Sequence, residues 1–72
     1  MDKVKIIKIV EHLNHENKQT ILVWLSTRNI KVIEGNDGSR VNLDRLTSHD
    51  LKGLDELASA LATVELLTRL EL

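Results

Sequence analysis

The segment Asn29–Thr47, with the sequence NIKVIEGNDGSRVNLDRLT, constrains the fold of this chain more than any other part of it. Two β-prone runs, Ile30–Ile33 and Arg40–Leu43, flank the polar turn Gly35–Gly38. Asn, Asp and Gly tolerate the positive φ angles of tight turns, so the run Asn36-Asp37-Gly38 strongly favours a turn. The residues that alternate with polar neighbours, as in a half-buried strand pair, are Ile30, Val32, Val41 and Leu43. The segment predicts a β-hairpin over about residues 30–43.

Helical periodicity precedes this segment. Residues 3–13 carry apolar side chains at the i, i+3, i+4, i+7 spacing of an amphipathic helix, although their β-branched residues leave an extended first turn open. A second helix is predicted over about residues 15–27, with Asn14 as its N-cap and Glu16 in the first turn, where the helix dipole favours a carboxylate. Asn29 is expected to take the left-handed conformation that ends many helices.

Thr47 opens the third and longest predicted helix, over about residues 48–70. The sequence Thr47-Ser48-His49-Asp50 fits a capping box, in which the Asp50 carboxylate reaches back to the Thr47 amide. The apolar stripe of this Leu-rich helix is longer than two short helices and a hairpin can cover, so it predicts a partner, most simply a second copy. The expected oligomerisation residues are Leu61, Val64, Leu67 and Leu70. The alternative is that the end of the helix bends back or frays.

Length and composition limit the folds, binding sites and cellular locations that this chain can have. The 72 residues predict one small domain, mainly α with a small β-hairpin: two short helices, the hairpin and a long C-terminal helix. The absence of Cys excludes disulfides and thiolate metal sites. The net charge of −1 does not indicate the basic surface that nucleic-acid binding requires. Trp24 is the only aromatic residue, so the core is built from Ile, Leu, Val and Ala. With no signal peptide and no apolar run that spans a bilayer, we expect a cytoplasmic or nuclear protein.

Catalytic, metal and cofactor chemistry is not indicated. The cluster His12, His15 and Glu16 lacks the H-E-x-x-H order of zinc proteases, and a break at Asn14 separates the two histidines. Ser48 and His49 are neighbours in a helical turn and do not face each other. The turn after Gly35 has too few acids for calcium and too few glycines for phosphate. We therefore expect a protein that is not an enzyme and holds no cofactor or metal.

The order of helix, helix, β segment, polar turn and capped helix resembles the NET (extra-terminal) domain of BET-type transcriptional regulators. The resemblance covers about residues 13–60. The residues that match the family pattern are Leu13, Ile21–Leu25, Val41, Leu43, Leu46, Leu51, Leu54 and Leu57. It implies a module that recognises short linear peptides, often of alternating Lys and aliphatic residues, by pairing its strand with them and seating aliphatic side chains between helices. Arg40 and Asn42 stand where that family carries acids, so the charge of the ligand is left open.

Two functional hypotheses follow. The first is a non-enzymatic interaction module that binds a partner peptide by strand addition at the hairpin and through a helix-lined aliphatic groove. Its expected peptide-binding residues are Arg40, Val41, Asn42, Leu43, Asp44, Trp24 and Leu54. The alternative is a small homodimeric structural, regulatory or inhibitory protein, of the viral or phage type, that associates through its C-terminal helix. DNA binding is the weaker third reading, because the second helix offers only Lys18 and Arg28 as basic contacts.

Overall fold

The computed structural model describes residues 3–35 and 38–68. In chain order the elements are α1 (Lys3–His12), α2 (His15–Thr27), β1 (Ile33–Gly35), β2 (Gly38–Arg40), a 3₁₀ helix (Leu43–Arg45) and α3 (Ser48–Thr68). The first turn of α2 bonds to Glu65 near the end of α3, and Arg28 lies beside Asp50 in the first turn of α3. The helices α2 and α3 therefore run in opposite directions.

Asn14 separates α1 from α2 in the way the sequence predicts. Its backbone is extended, with φ −68° and ψ 169°, and its Oδ1 accepts the Asn17 backbone N–H at 2.9 Å. An N-cap side chain of this kind satisfies a donor that the first turn of a helix leaves unpaired. Glu16 lies in that first turn, and Ile21 and Leu25 are the buried residues of α2.

The end of α2 is closed by a Schellman motif. The Asn29 N–H donates to the Ser26 carbonyl and the Ile30 N–H to the Leu25 carbonyl, both at 3.1 Å. Asn29 has φ 58°, so the predicted left-handed cap is confirmed. Ile30 packs against the core that contains Leu25, and it supplies the apolar contact that usually accompanies this motif.

The predicted fold class is wrong in its β component. No half-buried hairpin spans residues 30–43: residues 30–32 and 41–42 pair with no strand, and Leu43–Arg45 is helical. Within the described residues, the pairing is limited to an antiparallel ladder of three residues on each side, with Ile33 opposite Arg40 and Gly35 opposite Gly38. Ile33 and Arg40, which form one end of the ladder, are both exposed. The protein is a small three-helix protein, and the predicted turn residues Asn36 and Asp37 lie outside the described residues.

Local hydrogen bonds explain why the predicted strands fail to form. Ile30 is committed to the cap of α2. At the other end, Asn42 Oδ1 accepts the Asp44 N–H at 3.0 Å, and the Asn42 carbonyl accepts the Arg45 N–H at 3.2 Å. Asn side chains compete with sheet ladders in this way, and here the bond starts the 3₁₀ helix. The alternation predicted which side chains are buried, since Ile30, Val32, Val41 and Leu43 all pack against the core, but it did not predict their pairing.

The core is entirely aliphatic and joins all three helices with the segment before α3. Its buried residues are Ile6, Leu13, Ile21, Leu25, Leu46, Leu51, Leu54 and Ala58. Thr47 caps α3 by accepting the Asp50 N–H at 3.1 Å. The Asp50 carboxylate does not reach back as expected and instead lies 3.7 Å from Arg28 Nη1. Among the described residues, no helix is both long and apolar enough to cross a bilayer.

Candidate interaction groove

A concave groove lies between α1, α2 and the segment 41–43, with a volume of about 590 Å³. Its floor consists of four buried side chains, Ile6, Ile21, Leu25 and Leu54. The aliphatic walls are Ile7, Val10, Leu22, Val41 and Leu43. The polar rim is Glu11, His15, Lys18 and Gln19. Concave sites with an apolar floor and a few polar groups at the edge are the usual form of binding sites in proteins.

An ion pair fastens the 3₁₀ helix, which carries Leu43 into the groove, to the start of α1. Lys3 Nζ donates to Asp44 Oδ1 at 2.7 Å. The hydrogen bond from Lys3, together with its positive charge, lowers the pKa of the Asp44 carboxyl below its usual value of 3.8. Exposed pairs contribute little to stability, but this one links two elements that are far apart in the chain and that both line the groove.

The predicted peptide-binding residues divide into two sets. Val41, Leu43 and Leu54 line the groove. The other four do not: Arg40 belongs to β2, Asn42 caps the 3₁₀ helix, Asp44 pairs with Lys3, and Trp24 lies elsewhere. The wall residues Ile7, Val10 and Leu22 were not predicted as binding residues, because helical spacing does not show which apolar side chains line a groove. Their exposure depends on how far apart the two helices stand, which the sequence does not show.

Trp24 packs between α2 and α3, away from the groove. A Cβ atom at Gly53 would lie 3.0 Å from Trp24 Cζ2, so the glycine allows the indole ring to approach α3. The Arg28 guanidinium stands 4.9 Å from the centre of the ring, at a cation–π distance. Trp24 therefore has a structural role here, and the close neighbour of Gly53 is a ring rather than a backbone.

Glu65 was not singled out by the sequence, and it is buried, with 7% of its surface exposed. Its Oε1 accepts the Asn14 backbone N–H at 2.9 Å, and its Oε2 accepts Asn17 Nδ2 at 2.8 Å. The carboxylate thereby fixes the junction of α1 and α2 on the last turns of α3. One signal could have found it, since position 65 continues the buried series Leu51, Leu54 and Ala58 at helical spacing.

The predicted oligomerisation residues lie on the second half of α3. Leu61 is half-buried and packs against the core, whereas Val64 and Leu67 are exposed. Leu66, which was not among the predicted residues, is exposed as well. Leu70 lies outside the described residues.

Among the described residues, the histidines belong to no metal-binding cluster. His12 Nδ1 lies 2.7 Å from the Lys8 carbonyl in the last turn of α1, and His15 begins α2 on the rim of the groove. Within residues 3–35 and 38–68, no three His, Asp or Glu side chains are arranged to hold a metal ion. The groove is lined mainly by aliphatic side chains, with four polar side chains at its rim.

Similarity to known proteins adds no information about the site. No protein-family model, no curated protein and no solved structure matches the chain. The resemblance to the NET domain therefore stays a prediction that rests on the residues named above. The geometry of the groove carries the functional argument.

Proposed function

We propose that this protein is a non-enzymatic interaction module that binds a short segment of a partner protein in the groove between α1 and α2. The observation that carries the proposal is the groove itself, which combines an open volume of about 590 Å³ with an aliphatic floor and aliphatic walls. Strand addition has no place in this proposal, because the predicted hairpin is not formed. The mode is insertion of aliphatic side chains between helices, as in helix-in-groove recognition.

The charges around the groove favour a partner segment that is neutral or of mixed charge. The rim holds one acid, Glu11, and one base, Lys18, so neither sign dominates. Asp44 next to the groove is paired with Lys3 at 2.7 Å and is not available to attract a Lys-rich peptide. Selection therefore depends on aliphatic shape, with side chains at i, i+3 or i+4 and i+7 of an amphipathic helix as the matching pattern.

The binding should be weak. Each aliphatic side chain that is fully buried contributes about 1.5–3 kcal/mol, while association costs at least about 4 kcal/mol in lost freedom of motion. At that minimum cost, four seated side chains at about 2.5 kcal/mol each leave about 6 kcal/mol, which corresponds to a dissociation constant on the order of tens of micromolar. Affinity in this range suits a module whose contacts are made and broken readily.

A selection from a phage-displayed library of random peptides, with matched variants, tests the proposal. Ile7→Glu places a charge on the groove wall at a residue that is already 45% exposed, so it should not unfold the protein. Val4→Glu is the matched control, because Val4 is exposed on the same helix but does not line the groove. Leu22→Glu and Val23→Glu form the corresponding pair on α2.

We expect the enriched peptides to carry aliphatic residues at helical spacing. They should lose binding to Ile7→Glu and Leu22→Glu and keep it with Val4→Glu and Val23→Glu. Peptides that bind all four variants equally, or a selection without enrichment, would refute the groove as the binding site. A synthetic peptide of alternating Lys and Val that binds more tightly than its Gln and Val counterpart would contradict the assignment of a neutral partner.

A further inference from the structure

The second half of α3 presents no charge to solvent. At the overall charged content of 29%, the twelve residues Leu57–Thr68 would include about three or four charged side chains. They include one, Glu65, whose carboxylate is turned inward onto Asn14 and Asn17. The side chains of this stretch that face solvent are Ala60, Thr63, Val64, Leu66, Leu67 and Thr68.

Large aliphatic side chains are strongly exposed on this stretch. Val64 is 56% exposed and Leu67 is 63% exposed. With Ala60 they follow i, i+4, i+7 spacing and so share one face of the helix, on which Thr63 also lies. Single exposed aliphatic residues are ordinary, but a contiguous face without charge is the composition of the centre of a protein interface. We call Ala60, Thr63, Val64 and Leu67 the outer face of α3.

We propose that the outer face of α3 pairs two copies of this chain about a two-fold axis that passes near Val64. Residues that lie near a two-fold axis are close to their own counterparts in the other copy, so an exposed charge near the axis would meet a like charge. The outer face contains none. It also carries no charge that would select or steer a different partner, whereas the rim of the groove carries both signs.

Its size indicates a dimer that forms and dissociates readily. A stable interface takes about 800 Å² from each partner, which is roughly one-seventh of the 5592 Å² that this chain exposes. The stretch Leu57–Thr68 is only about 18 Å long, at 1.5 Å per residue. The small side chains of Ala60 and Thr63 let the two helices approach closely, which partly offsets the limited length. We expect a dissociation constant on the order of 10–100 μM.

Sedimentation velocity from about 5 to about 500 μM, which brackets this constant, tests the proposal. The variants are Val64→Lys, Val64→Glu and the control Val23→Lys, whose site on α2 is 63% exposed and therefore matched in exposure. The helical circular dichroism of each variant establishes that it is folded. The wild type and Val23→Lys should dimerise, and each Val64 variant alone should dissociate at least about tenfold more readily, because two like charges then meet near the axis.

An equimolar mixture of Val64→Lys and Val64→Glu should dimerise again, because opposite charges then face each other across the axis. A wild type that stays monomeric at the highest concentration would overturn the proposal, as would a dimer that is insensitive to Val64→Lys or a mixture that stays monomeric. Adsorption of a monomeric wild type to phosphatidylcholine vesicles, lost in Val64→Lys, would assign the outer face to lipid instead. Ile7→Glu should dimerise like the wild type, so this proposal and the groove proposal fail independently.

Discussion

Glu65 connects α3 to the junction of α1 and α2. Its two carboxylate oxygens hold one backbone and one side-chain donor of the α1–α2 junction. Glu65→Gln keeps the shape but leaves only one accepting oxygen, so one part-buried donor loses its partner. We expect a loss of about 1–3 kcal/mol in the free energy of unfolding, measured by urea denaturation. Glu56→Gln on the exposed side of the same helix is the control, and an equal effect of the two substitutions would contradict the role of Glu65.

Asp44 gives a second prediction at the scale of single residues. Because Lys3 lowers the pKa of this carboxyl below 3.8, the Lys3–Asp44 pair stabilises the folded state at and above that pH. The contribution is lost as the pH falls through the lowered pKa. In Lys3→Met, the Asp44 carboxyl carbon followed by NMR should titrate closer to 3.8. Lys8→Met, five residues further along α1, should leave the titration unchanged, and a titration that is the same in wild type and Lys3→Met would rule out the ion pair.

The end of α2 depends on the left-handed conformation of Asn29. Asn29 holds φ 58°, which costs an ordinary L-residue about 1–2 kcal/mol and Asn or Gly less. Asn29→Ala should therefore lower the free energy of unfolding by about 1 kcal/mol, whereas Asn29→Gly should leave it unchanged or raise it. Urea denaturation measures both, with Lys31→Ala as the control in the same loop. The motif would be unimportant if Asn29→Ala and Lys31→Ala had equal effects.

The helices and their caps could be predicted from the sequence because their signals are local. Asn14, Asn29 and Thr47 act within four residues of their own positions, and each caps a helix as expected. The hairpin could not be predicted reliably, because its alternating pattern reports which side chains are buried and not which backbones pair. Two local hydrogen bonds hold the backbone in other conformations at the positions of the predicted strands. The Ile30 N–H caps α2, and the Asp44 N–H donates to the Asn42 side chain.

The sequence predicted only some of the residues that line the candidate groove. Val41 and Leu43 were expected to bind a peptide as residues of the second hairpin strand; that strand does not form there, but both side chains line the groove. Ile7 and Leu22 were not expected there, because helical spacing alone cannot tell a residue of the core from one on a groove wall. That distinction depends on the distance between α1 and α2, which the packing of the whole chain sets.

At the scale of the whole molecule, the outer face of α3 links association to stability. A dimer that dissociates before it unfolds is stabilised by mass action, so its midpoint of thermal unfolding rises with protein concentration. With a dissociation constant on the order of 100 μM, raising the concentration from about 5 to about 500 μM adds about 1 kcal/mol, which is about 4–8 °C for a chain of this size.

Thermal unfolding followed by circular dichroism at both concentrations measures this shift. Val64→Lys should show a much smaller shift than the wild type, because the like charges near the axis weaken its dimer at least about tenfold. Val23→Lys should show the shift of the wild type, since Val23 lies on α2, outside the outer face of α3. A wild-type midpoint that is the same at both concentrations would mean that the second half of α3 gains no stability from a second copy.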